Sequence, residues 1–403
     1  MNLDPDLLRR LRATPEVFQQ IDALSGPELA LQNRLRAQFP ADLVRGALTL
    51  VELRRRAAGK FSRAAEMWFD RVGLEQSTAE AVARHKALRF QGRGRVWDFC
   101  CGIGGDAIQL AAGCEVLAVD RDPAACLCTQ WNAEAYETAG HLTVLCADIE
   151  GMADRGGLLH IDPDRRPART AGGASAGGRR SLKLEEGAPG LETLTRLTTE
   201  FAGGAIKTSP ASNFGGKFPL AEVELVSLYG ECKEATIWFG ELAEPGIWRA
   251  TALPSGESLA GDPLSAAAPI AGLGRYVINP DPALVRSGLI DLYAVRQGLG
   301  RLDDAEEYLT GDAISASHLA QAFEVVAQLP NNEREIRDYF RASDIGSLEI
   351  MCRRIPIDIE GLRRRLTLSG RAAAVLVFAR IEGRARAVVC RRTGVLGATP
   401  SDP

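Results

Sequence analysis

Histidine is scarce, with four scattered residues in 403, and no two of the nine cysteines stand in a CxxC spacing. The usual signatures of a structural zinc site and of a redox dithiol are therefore missing. Cys100, Cys101, Cys114, Cys126, Cys128, Cys146, Cys232, Cys352 and Cys390 fall mostly inside apolar stretches. A free thiol in such a place acts as a small hydrophobe, so inert core cysteines and no bound metal are expected. Long apolar runs are missing too. The longest, "AAAVLVFA" at 372–379, is far short of the roughly 20 residues that cross a bilayer. The opening "MNLDPDLLRR" carries acids where a secretion signal has a basic start and an apolar run. A cytoplasmic protein without a membrane partner is expected.

What is present is ordinary in bulk and uneven in detail. Hydrophobic residues make up 46% and charged residues 25%, as in soluble globular chains. The net charge of -4 conceals basic ends: residues 1–95 carry +6 and residues 351–403 carry +7, leaving -17 between them. A polyanion partner would be gripped by such flanks, although solvated helix faces give the same count.

Apolar residues three and four apart predict an N-terminal helical domain over 1–93, for example in "ALTLVELRRRAAGKF". From about 95 the period changes. "RVWDFC", "CEVLAVD", "LTVLCAD", "LLHID" and "GGAIKTS" are short apolar runs ending in polar residues, with helix-forming stretches between them. That rhythm predicts a parallel α/β sheet over 94–255. "VELVSLYG" and "TIWFG", five residues apart, are expected to close it as an antiparallel hairpin across "ECKEA". A Pro- and Gly-rich stretch suggests a linker over 256–274. Helices ("LVRSGLIDLYAVRQGL", "NNEREIRDYFRAS") and strands ("LEIMCRR", "AAAVLVFARI", "RARAVVCRR") then suggest a small α/β domain over 275–398.

"DFCCGIGGDAIQLA", 98–111, sits where the first strand hands over to a helix. Glycines there let the backbone approach a ligand. Gly102, Gly104 and Ala107 fit a dinucleotide fingerprint, with Asp120 at the distance of a ribose-binding acid. The neighbouring acids argue for another cofactor. Asp98 ends the strand before the turn, where a pyrophosphate is repelled but the ammonium and sulfonium of S-adenosylmethionine are not. Asp120 in "AVDRDP" suits both ribose hydroxyls, Arg121 to Pro123 can flank the adenine, and Asp148 in "CAD" can meet its amine. "HIDPDRRP", at the end of the fourth strand, has no use in a dehydrogenase.

These motifs resemble the class I methyltransferases, and within them the trimethylguanosine synthase-like branch. "EMWFDRVGLEQST", 66–78, is similar to the Trp-Phe…Thr segment that helps cover the cofactor in that branch. With "YVINPDPALVRSGLIDLYA" and the basic end, nearly the whole chain resembles bacterial class I methyltransferases with a C-terminal THUMP-like domain. The resemblance implies a Rossmann-like sheet between an N-terminal helical domain and a small α/β THUMP-like domain. It also implies S-adenosylmethionine as cofactor, held by Thr78, Asp98, Cys100, Gly102, Gly104, Asp106, Asp120, Arg121, Asp148 and Ile149.

Asp162 and the carbonyl of Pro163 can each accept an N–H bond from an exocyclic amine, restoring its nucleophilic lone pair and offering a proton sink. This is similar to the Asp/Asn-Pro-Pro-aromatic loop of amino-methyltransferases, but here it reads Asp162-Pro163-Asp164-Arg165-Arg166. The second proline and the stacking aromatic are absent. Arg165 and Arg166 can stack on a base or hold phosphate, joined by Arg169, Arg179 and Arg180 in the loop that follows. Lys207 and Ser209 in "IKTSPASNF" are candidates for the acceptor pocket. No cysteine stands in a Pro-Cys nucleophile motif, which argues against covalent attack on a pyrimidine. The leading expectation is a methyltransferase acting on a ring amine of RNA, with RNA as partner. The alternatives are a small-molecule or protein methyltransferase, and an RNA-binding protein with an inactive methyltransferase fold.

Overall fold

Six helices precede the first strand: α1 (Pro5–Arg12), α2 (Glu16–Ala23), α3 (Glu28–Arg36), α4 (Ala41–Ala57), α5 (Arg71–Gln76) and α6 (Glu80–Ala87). The computed structural model describes residues 4–23, 28–152, 156–163 and 183–393. Helix α1 begins where Asp4 accepts a bond from the Leu7 amide at 2.8 Å, with Pro5 in the first turn. Leu43, Ala47, Leu50, Leu53 and Ala57 recur at helical spacing along the buried face of α4. These helices do not close a core of their own. The apolar faces of α1 to α5 pack in one cluster with Ile103, Ile108, Cys128 and Trp131 from beyond the first strand. The predicted helical segment thus forms a wall against the glycine turn.

The strands that follow are β1 (Arg95–Phe99), β2 (Glu115–Asp120), β3 (Leu142–Cys146), β4 (Leu158–Ile161), β5 (Gly203–Thr208), β6 (Glu222–Leu228) and β7 (Glu231–Gly240). Between them run α7 (Ala107–Ala111), α8 (Pro123–Ala135) and α9 (Leu191–Glu200). Compactness divides the chain into two units. The first holds the described residues up to Ala221 together with Thr236–Pro245; the second holds Glu222–Ala235 and the described residues from Gly246 on. Within the first unit the strand order is β3-β2-β1-β4-β5-β7. β1 pairs in parallel with β2 and with β4, β2 with β3, and β4 with β5. The order reverses between β1 and β4, the point where open α/β sheets take their ligands.

In the second unit β8 (Trp248–Leu253) runs parallel to β6, and β9 (Glu257–Gly261) antiparallel to β8. The hairpin at 222–240 turns on Tyr229-Gly230, both at positive φ, so "ECKEA" belongs to β7 and not to the turn. Part of the expected linker is likewise strand, because Pro254 to Gly256 make a tight return that lays β9 against β8. The seven-stranded sheet that follows is ordered β11-β12-β10-β13-β16-β15-β14. Its strands are β10 (Tyr276–Pro280), β11 (Gly300–Arg301), β12 (Leu309–Gly311), β13 (Ala320–Pro330), β14 (Ile345–Cys352), β15 (Ala372–Ile381) and β16 (Arg384–Arg392). Helices α10 (Pro282–Arg286), α11 (Ile290–Gln297), α12 (Glu333–Ala342) and α13 (Ile359–Arg365) interrupt them; the single helix expected over 284–299 is broken at Ser287-Gly288.

Alternation along β15 and β16 feeds two cores. Leu376, Phe378, Ala387 and Val389 face Ile336, Phe340 and Leu362, while Val375, Val377, Val388 and Cys390 face Val277, Tyr308 and Phe323.

Candidate active site at the strand switch point

Beyond Phe99 the chain turns through Cys100, Gly102 and Gly104, all at positive φ. A Cβ on Gly104 would stand 3.0 Å from Thr129 Cγ2, so side chains are excluded there by conformation and by space. The turn is pinned from three sides. The Gly102 amide donates to Asp120 Oδ2 at 2.9 Å, and Thr129 Oγ1 donates to the Gly102 carbonyl at 2.8 Å. Asn132 on α8 donates to the carbonyls of Ile103 (2.9 Å) and Trp68 (3.0 Å) and accepts from the Trp68 amide (2.6 Å). One buried amide side chain therefore ties the 66–78 segment to the glycine turn. Helix α5 presses on that turn because residue 73 is glycine: a Cβ there would lie 2.4 Å from Ile103 Cγ2.

A cleft of about 430 Å³ opens over the ends of β1, β2 and β4. Asp98, Cys100, Gly102, Asp120 and Arg121 line it, with Asp148 and Ile149 beyond β3 and Asp162 and Pro163 beyond β4. Thr78 and Asp106 also face it, but the Thr78 hydroxyl donates to Asp106 Oδ2 at 2.5 Å. Gly104 lies behind the wall against Thr129. Lys207 and Ser209 do not line the cleft: Lys207 is drawn to Asp162 Oδ2 at 2.5 Å, and Ser209 accepts from the Ala211 amide. Arg165 and Arg166, with Arg169, Arg179 and Arg180, lie outside the described residues.

Behind the cleft lies a chain of buried charges, much of it unexpected. His160 Nδ1 is 2.6 Å from Asp98 Oδ1, with both side chains at most 1% exposed. His160 Nε2 is 4.0 Å from Asp106 Oδ1. Lys86 Nζ pairs with that oxygen at 3.0 Å, outside hydrogen-bond geometry. Lys207 Nζ lies 3.9 Å from Asp106 Oδ2 and continues to Asp162. Three carboxylates thus face two ammonium groups and one imidazole.

Environment separates these acids. Burial raises the Asp98 carboxyl above its ordinary value; His160 opposes the shift, and Asp106 and Asp162 add to it. Burial also acts against the charge of Asp106, yet Lys86, His160 and Lys207 together hold that carboxyl well below the usual range. Asp120 is raised, chiefly by burial, against the opposing amides of Asp122 and Gly102. Burial first, and then Asp120, pushes the Cys100 thiol well up, so it carries no thiolate chemistry at neutral pH. Among the described residues no group of three metal-ligating side chains converges, and no helix is long and apolar enough to cross a membrane.

Two Mycobacterium tuberculosis proteins, from strains CDC 1551 and H37Rv, are each 34% identical to this chain over 375 residues. The match covers 89% of this chain and 99% of each relative, and both are described as uncharacterized S-adenosylmethionine-dependent methyltransferases. This chain belongs to the S-adenosylmethionine-dependent methyltransferases. Family models described as RNA cap guanine-N2 methyltransferase and THUMP domain-like match the methyltransferase at residues 93–165 and 320–392. A third, a domain of unknown function, matches residues 6–57. A crystal structure from Porphyromonas gingivalis, described as that of a presumed methyltransferase, shares the fold with a TM-score of 0.76 at 19% identity. It covers 98% of this chain and 100% of its own. The cofactor is S-adenosylmethionine, and the cleft suits it: Asp98 Oδ2 is a buried acceptor on the wall without a hydrogen-bond partner among the described residues.

His160 and Lys86 escaped the sequence reading. His160 left a signal, as the one ionisable residue in the apolar strand before Asp162. Lys86 left none, since "EAVARHKA" reads like any solvated helix.

Proposed function

We propose that the enzyme methylates an exocyclic amine of an RNA base, with Asp162 and Pro163 as the acceptor-binding groups. The observation that carries this reading is the place of Asp162. It lines the cofactor cleft with one oxygen held by Lys207, which leaves the other to accept an N–H bond. When bound, S-adenosylmethionine would supply a methyl group on a sulfonium, the C–S bond breaking so that the sulfur leaves as a neutral thioether in an in-line displacement. The chain's own work is position and electrostatics. Asp98 Oδ2 receives the ammonium end of the cofactor. Asp120, its carboxylate fixed by the amides of Gly102 and Asp122, receives the ribose hydroxyls through its remaining lone pairs. Asp148 and Ile149 meet the adenine, with Arg121 at the rim. Thr78 and Asp106 hold the wall, with Asp106 as the hub for Lys86 and Lys207. At the acceptor, Asp162 and the Pro163 carbonyl orient the amine, and the Asp162 carboxylate takes the proton that nitrogen sheds as its bond to the methyl carbon forms.

The RNA assignment is supported by the two family models, whose descriptions name an RNA cap methyltransferase and a THUMP-like domain. The C-terminal arginines divide into two sets. Arg353, Arg354, Arg365 and Arg392 are tied to Glu307, Glu333 and Glu349, and Arg363 donates to the Leu348 carbonyl. Arg364, Arg371, Arg384 and Arg391 are exposed and have no such tie among the described residues. They are the better phosphate candidates. The test is to incubate the enzyme with isotope-labelled cofactor and total RNA from cells lacking the gene, then analyse the nucleosides by mass spectrometry. One labelled N-methyl nucleoside is expected. Label in protein or small molecules, with none in RNA, overturns the reading.

A further inference from the structure

Four residues stand in register across the middle of the first sheet: Ala118 of β2, Asp98 of β1, His160 of β4 and Ala205 of β5. Parallel neighbours in register point to the same face, so an ionisable pair sits between two alanines where a sheet interior is otherwise apolar. Ala118, His160 and Ala205 are wholly buried and Asp98 is 1% exposed. Burying such a pair costs desolvation that apolar residues of the same size avoid, so its presence asks for a reason. The pair is also incomplete: Asp98 Oδ2 and His160 Nε2 are buried without a hydrogen-bond partner among the described residues.

We propose that His160 is a positioning residue for the cofactor: by holding Oδ1 of Asp98 it turns Oδ2 toward the aminoacyl end of S-adenosylmethionine. This rests on the reading that Asp98 receives the ammonium group. The charged groups facing Asp98 are few. His160 approaches from β4, Asp106 from the start of α7 and Asp162 from beyond β4. Lys86 of α6 and Lys207 of β5 spend their charge on Asp106 and Asp162. Of these three groups, His160 is the one that favours the Asp98 carboxylate, against burial and two like charges. It donates through Nδ1 and both aligns and sustains the acceptor.

The test compares three ligands by calorimetry: S-adenosylmethionine, S-adenosylhomocysteine and 5′-methylthioadenosine, which lacks the aminoacyl arm. His160→Phe should weaken the first two by roughly ten-fold or more, the scale of a lost bond to a charged group, and leave the third within about two-fold. His160→Asn places an amide nitrogen near the position of Nδ1 and should restore binding. His160→Gln, of similar polarity but reaching toward Nε2, should not, and this contrast decides the matter if the Phe variant fails to fold. The acid limb of S-adenosylmethionine affinity should move to higher pH in His160→Gln, because the carboxylate is then without the imidazole that favours it; the 5′-methylthioadenosine profile, which depends on Asp120, should be the same in the variant as in the unaltered protein. Equal weakening of all three ligands, or of none, overturns the proposal. Asp98→Asn is run alongside. If it too fails to separate the ligands, the placement of the ammonium at Asp98 is what has failed; if it separates them and the His160 variants do not, only the role of His160 falls.

Discussion

The two sheets of this protein treat their interiors in opposite ways. At the centre of the first, Asp98 and His160 face each other between alanines, and both keep a polar atom unsatisfied. In the second, the neighbouring strands β15 and β16 bury Val375, Leu376, Val377, Phe378, Val388 and Val389, with arginines confined to the strand ends. The second interior is what folding alone requires. The first departs from it where the cleft opens, and departures of that kind are tolerated where a site uses them. The difference predicts that substitutions in the second sheet act on stability, and substitutions in the first act on ligands.

The largest expected effect tests the apolar side. Phe378→Ala, at a fully buried position, should cost about 3–5 kcal/mol of unfolding free energy in denaturant titrations. Below its lowered midpoint the variant should bind cofactor normally; a cost under about 1 kcal/mol would mean that the second sheet is loosely packed after all. Next in size, Asp162→Ala should lower turnover roughly 100-fold or more with cofactor affinity within a few-fold, as for a missing acceptor of the transferred proton. Full turnover would reduce the Asp-Pro turn to a structural role. Asp120→Ala should weaken S-adenosylmethionine by about 1–3 kcal/mol in calorimetry, the scale of lost bonds to a charged group. Finally, reversing Arg364, Arg371 and Arg391 should flatten the salt dependence of RNA binding by about 0.7 in the log–log slope for each phosphate no longer neutralised. Reversing Arg354 or Arg365 should change it less, because a carboxylate already occupies each. An equal effect from both sets would break that distinction.

Much of this was legible in the sequence because it depends on neighbours along the chain. The runs "AAAVLVFARI" and "RARAVVCRR" become β15 and β16 residue for residue, since alternating apolar pairs bounded by a turn suit little else. The glycine turn and the acids at successive strand ends converge on one cleft because parallel strands bring their C-terminal ends together. β13, at eleven residues, escapes a reading by period because most of its side chains are only half-buried and no clear alternation marks it. The two-residue turn at Tyr229-Gly230 is masked by the charged "ECKEA", since polarity suggests a loop even where a strand edge carries it.

By itself the sequence determined the strand–helix alternation, the glycine turn with acids at the neighbouring strand ends, and the Asp162-Pro163 end of the fourth strand. Each is set by local period, backbone freedom or residue chemistry within about 30 residues, the reach of a βαβ unit. Only the tertiary structure decided that helices α1 to α5 share a core with the glycine turn and α8, and that Lys207 turns to Asp162 instead of lining the cleft. It alone set His160 across from Asp98 and made Asp106 the hub of a buried charge chain. Those pairings join residues on different elements, and register and packing, not spacing along the chain, bring their charges within reach of one another.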